Sequence, residues 1–127
     1  MYFLNFITFG VLGWGIDTLY RSITERKYHP GTYIPFFSII YATGGIALIT
    51  FFRYSTIGIP AEIIIGGTAM TTLELTGGIL STRILKKRLW NYSKNPFNFK
   101  GHIDLIHTLY WFMLTAALRL IYAFASL

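Results

Sequence analysis

A carboxylate, Glu74, stands near the centre of a long apolar stretch, residues 57–84, that reads IGIPAEIIIGGTAMTTLELTGGILSTRI. Gly67, Thr71, Glu74 and Gly78 follow the i, i+4, i+7, i+11 spacing of one helix face, so the acid shares its face with small and polar residues. An ionised carboxylate in hydrocarbon costs roughly 2.5–3.5 kcal/mol on insertion scales and needs a partner, a proton or a water-filled cavity. Intramembrane ionisable groups commonly mark ion pathways and proton relays, which makes Glu74 the leading candidate for chemistry. Asp17, Asp104 and His107 are the next. Asp104 and His107 are an i, i+3 pair on one helix face. Two readings of that pair stay open: a capping carboxylate beside a hydrogen-bonded imidazole, or part of a polar path with Asp17 and Glu74. Asp17, Asp104 and His107 as a metal site have no dedicated ligand motif behind them, and no metal is expected.

The elements that must position these groups follow from composition. The chain has 127 residues, 54% hydrophobic and 13% charged, with a mean hydropathy of +0.51. Soluble domains carry about 25% charged residues, so the deficit points to a membrane protein. Four apolar stretches are expected as helices, at about 2–20, 33–52, 57–84 and 102–125. The expected fold is all-α: a polytopic four-transmembrane-helix bundle forming a single integral membrane domain over residues 1–127. The first stretch lacks the basic start and small-residue cleavage site of a signal peptide and is read as a retained helix. Pro35 and Pro60 fall in the first turns of the second and third stretches, where a missing N–H costs little. There are no cysteines, so disulfides and thiolate chemistry are excluded.

The net charge of +6 is explained by topology rather than by nucleic acid. Lysine and arginine number three after the first stretch and six after the third, nine of the eleven in the chain. The positive-inside rule places those two loops in the cytoplasm and both termini outside a cell membrane. Arg83, Lys86, Lys87 and Arg88 are candidates to contact phosphate or lipid headgroups. Glu62 and Arg119, approached from opposite helix directions, reach similar depth and are expected to form a structural ion pair.

Absent motifs narrow the function. No GxxxxGK[ST] loop is present, so any ATP hydrolysis must come from a separate ATPase. HExxH, GxSxG and GxGxxG are also missing, and neither an enzyme class nor a cofactor is signalled.

Four stretches carry a family resemblance. They are Gly13-Trp14 with Asp17, Tyr20 and Arg21-Ser22-Ile23; Gly31 with Pro35; Thr72-Leu73-Glu74; and Trp90-Asn91-Tyr92-Ser93 followed by Pro96-Phe97-Asn98-Phe99-Lys100-Gly101-His102-Ile103. Together they resemble the ABC-transporter type IV, or CmpB-like, family of small membrane permeases. The last stretch, with Trp90, Tyr92, Pro96, Phe97, Asn98 and Gly101, is the most specific. Asp17 stands where the family usually has Glu, Asn91 where Asp is usual, His102 where Arg is common, Leu75 where Tyr follows the acid, and Ser38 within a proline-rich segment. The resemblance implies a membrane fold and a transport role.

The expected function is therefore a transport or permeation component whose polar site is lined by Glu74, Asp17, His107, Thr71 and Asp104, linked to protons or cations. Its expected partners are the lipid bilayer, further copies of itself or another membrane protein, and a separate ATPase. Two alternatives stay open: a structural or assembly subunit packed through its glycine faces, and an interfacial enzyme acting on lipid headgroups.

Overall fold

A computed structural model describes residues 2–125. Four helices follow one another, α1 (Tyr2–Glu25), α2 (Ile39–Tyr54), α3 (Ile59–Arg83) and α4 (Leu105–Ala125), and the described residues contain no strand. The chain clusters into two units, Met1–Ile46 and Ala47–Leu127.

In the first unit, α1 runs beyond the expected end at residue 20 and stops where Arg26 turns left-handed, with a φ of 55°. The Lys27 N–H then bonds back to the Ser22 carbonyl at 3.1 Å, a Schellman closure of the last turn. The helix that was expected from residue 33 begins only at Ile39. Pro35 is the reason. Proline pushes the preceding Ile34 out of the helical region, and Ile34 to Phe37 close a β-turn instead, with Pro35 second and Phe36 third at a φ of 62°. Pro35 thus sits in a turn ahead of the helix, not in the first turn of it. Ser38 caps α2, and its N–H donates to the Gly10 carbonyl of α1 at 2.9 Å. That bond fixes the register: Phe37 seats on Gly10, Tyr41 on Gly13 and Phe9 on Gly45.

In the second unit, α3 starts with Pro60 in its first turn, as expected from the sequence, next to Gly58 at a φ of 97°. Glu62 in its first turn and Arg83 in its last both suit the helix dipole. α4 runs antiparallel to it: Gly66 of α3 lies against Thr115, and Gly78 lies against His102, just ahead of α4. Glycine is required at these crossings, since a side chain at Gly67 would enter the Phe112 ring.

Two of the four helices, α3 and α4, are long and apolar enough to cross a membrane. The expected set of four is corrected on this point. α2 has 16 residues because the Pro35 turn takes up the start of its apolar stretch. α1 has the length at 24 residues, but carries Asn5, Asp17 and Arg21 among its apolar ones.

Candidate functional site

The polar groups of the second unit gather on the seam between α3 and α4. Glu74 is 5% exposed, and one carboxylate oxygen accepts a hydrogen bond from the indole Nε1–H of Trp111. The residues that α3 buries, Glu62, Gly66, Gly67, Met70, Glu74, Gly78 and Ser81, form one stripe. On α4 the facing stripe runs through Trp111 and Thr115 to Arg119, in steps of four. A buried charge is tolerable only where donors reach it, and here an uncharged donor reaches Glu74 from the opposite helix. Thr115, 1% exposed, has a hydroxyl with no hydrogen-bond partner among the described residues.

Glu62 and Arg119 form the expected ion pair at 2.5 Å. The guanidinium also stands over the rings of Phe52 and Tyr122, at 5.6 and 5.7 Å from their centres. Such contacts suit a planar, weakly hydrated cation in an apolar place.

Where the 84–104 loop meets α4, Asp104 is 2% exposed and holds three donors. One oxygen accepts the His107 backbone N–H at 2.7 Å and lies 2.6 Å from His107 Nδ1; the other accepts from the Asn95 amide at 2.6 Å. This is N-cap geometry with a loop clasp added. The His107 ring stacks on Tyr92, 3.9 Å between centres and 7° from parallel, with Tyr110 edge-on at 5.8 Å. The same loop is braced by Trp90, whose indole N–H donates to the His102 carbonyl at 2.8 Å, and by the Tyr92 N–H to the Gly101 carbonyl at 2.8 Å. Gly101 takes a φ of 72°, and a side chain there would strike Arg88 and Asn91.

His102 is buried against Gly78, and its Nδ1 has no hydrogen-bond partner among the described residues. Burial, and then the charges of Arg88 and Lys100, hold the His102 imidazole below the usual histidine pKa.

The candidate residues therefore separate into groups. Asp104 and His107 are brought together, as their spacing implied. Glu74 meets Trp111, a partner the sequence reading did not assign, although Trp111, Thr115 and Arg119 share one i, i+4 row that would have drawn attention to it. Thr71 donates to the Gly67 carbonyl of its own helix at 3.0 Å. Asp17 belongs to the first unit, where it binds Arg21 one turn on at 2.9 Å. Arg83, Lys86, Lys87 and Arg88 are exposed, and Arg88 also donates to the Lys100 carbonyl. In the loop signature, the Asn98 amide bonds the Asn95 carbonyl at 2.9 Å and its oxygen accepts the Gly101 N–H at 3.0 Å, while Pro96 and Phe97 are exposed. His102 and Asn95 were also missed as site residues; His102 stands inside that signature, and Asn95 falls between its two parts. Among the described residues no three His, Asp or Glu side chains form a metal-binding group.

Two helices long and apolar enough to cross a membrane pack over buried, internally bonded acids next to a basic loop, the arrangement expected of a helical membrane protein. The sequence model of the family described as "Putative ABC-transporter type IV" matches residues 4–126, essentially the whole chain, and the chain belongs to that family. Searches of curated proteins and of solved structures gave no match.

Proposed function

We propose that this chain is the membrane-embedded component of a transport system, with both termini outside and the basic loops in the cytoplasm. Glu74 is its central acceptor for a proton or cation. The observation that carries this reading is the kind of partner Glu74 has: an indole N–H from Trp111 steadies the carboxylate without neutralising it. A carboxylate so held can take up and release a positive charge, whereas one locked to a guanidinium, as Glu62 is by Arg119, cannot do so without breaking the pair. His107 and Asp104, near the start of α4, are the accessory acceptors of the same path. With no phosphate-binding loop in the chain, energy from ATP would come from a separate ATPase, and further copies of the chain or another membrane protein complete the assembly.

The assembly-subunit alternative has less support, because Gly66, Gly67 and Gly78 are already filled by neighbours within the second unit. The test is proton flux in proteoliposomes carrying a pH-sensitive dye. Glu74→Gln keeps an acceptor for Trp111 but cannot exchange a proton, so flux is expected to fall to the level of empty vesicles. Flux equal to that of the unaltered protein would overturn the assignment.

A further inference from the structure

The connection between α1 and α2 does not stay at the end of α1. Gly31 lies against the Arg21 side chain, Phe36 packs on Trp14 with ring centres 4.9 Å apart, and the Ser38 N–H reaches the Gly10 carbonyl. From Glu25 back to Gly10, α1 rises about 22 Å. The segment thus returns along most of that length before α2 begins. It does so without helix: its internal bonds include the Ile34–Phe37 turn and the Thr32 hydroxyl to the Ile34 carbonyl at 3.0 Å.

We propose that residues 32–37 line a water-filled vestibule that follows α1 from Arg21 to the level of Gly10. The proposal rests on the reading that α1 crosses the membrane. Irregular backbone directs N–H and C=O groups outwards, and each one left unmet in hydrocarbon costs several kcal/mol. Within a membrane such backbone persists where protein covers it or where water reaches it. Within the first unit, α1 covers one side of this segment only: Tyr33 is 54% exposed and Phe36 65%. Lipid is a poor neighbour for it as well. Over the same length α1 carries Asp17, Arg21 and Thr18, the last with a buried hydroxyl lacking a partner among the described residues. Exposed Glu25, Arg26 and Lys27 surround the open end. Phe36 keeps a left-handed backbone that bulky residues rarely adopt, so the turn is held in place rather than relaxed into a longer α2.

The absence of native cysteine gives a direct test. Single substitutions Tyr33→Cys and Phe36→Cys are exposed to a charged, membrane-impermeant maleimide in membrane vesicles, applied from the side that modifies Lys27→Cys. Leu12→Cys, on the exposed face of α1 at the depth of the turn, is the lipid reference. Water in a vestibule predicts that Tyr33→Cys and Phe36→Cys react within about tenfold of Lys27→Cys, while Leu12→Cys stays at least about a hundredfold slower. If Tyr33→Cys and Phe36→Cys are as slow as Leu12→Cys while Lys27→Cys reacts, lipid or another chain covers the segment and the vestibule is refuted. If Leu12→Cys reacts as fast as Lys27→Cys, α1 does not cross the membrane, and the multi-pass reading fails together with the vestibule.

Discussion

Each unit places an acid eight or nine residues before the end of its longest helix, Asp17 before Glu25 in α1 and Glu74 before Arg83 in α3. One turn further on, the two helices differ. Position 21 is an arginine, and Asp17 is met within its own helix. Position 78 is a glycine, which leaves room for His102 and offers Glu74 no cation, so its donor comes across the seam from Trp111. The connections differ in the same sense. The first unit re-enters alongside α1 before its second helix begins, whereas the second unit folds a braced loop and starts α4 at a strong N-cap on Asp104. In these two helices, arginine at the i+4 position accompanies an acid met within its own helix, and glycine accompanies an acid that links to the next helix.

The largest effect should come from the link that is fully ionic. Arg119→Met leaves the buried Glu62 carboxylate without its cation and is expected to cost about 3–5 kcal/mol of stability. Replacing both, Glu62→Met with Arg119→Met, should recover most of that loss, since an apolar pair leaves no buried charge. Thermal unfolding of detergent-solubilised protein checks both variants. A double variant no more stable than the single one would mean that the pair organises more than its own two charges.

A smaller effect separates the two acids directly. Trp111→Phe removes the donor to Glu74 and is expected to cost about 1.5–3 kcal/mol, the range for hydrogen bonds to charged groups. The matched change in the first unit, Asp17→Asn, still offers Arg21 an oxygen and should cost about 1 kcal/mol or less. Equal losses would erase the distinction between a closed acid and a linking one.

How much of this was legible in the sequence depends on the range of the interaction. The i, i+3 pair Asp104–His107 could be read because a helix fixes that spacing, and Glu62–Arg119 because two intramembrane charges of opposite sign seek each other. The Glu74–Trp111 bond was not, because which residue of α4 faces Glu74 depends on how α4 slides along α3, and that register is set by Gly66, Gly67 and Gly78. Pro35 misled for a local reason. A proline near the start of an apolar run fits a first helical turn and a β-turn equally well, and the contact of Ser38 with Gly10 settles it in favour of the turn. The same short-range ambiguity removed α2 from the helices long enough to span, and the polar residues of α1 removed the other, leaving two of the expected four.

The smallest effect concerns the residue that occupies the space glycine leaves at position 78. His102 is held neutral by burial and by Arg88 and Lys100, so its pKa in the fold lies below the ordinary 6.5. The sign follows from proton uptake. Above pH 6.5 the imidazole is neutral in both folded and unfolded chains, and its contribution to stability is fully present. As pH falls below 6.5 the unfolded chain binds a proton that the folded chain refuses, and stability is lost until the depressed folded pKa is reached. His102→Gln keeps a polar side chain of similar reach but does not titrate. It should therefore lose less stability than the unaltered protein between pH 8 and pH 5 in parallel melts, with the gap opening below about 6.5. The corresponding i+4 position in the first unit holds Arg21, which stays charged throughout this range, so that unit has no counterpart to the effect at this position. Identical pH profiles for the two proteins would mean that the imidazole seated on Gly78 is already open to protons, and that the loop over α3 is looser than its hydrogen bonds imply.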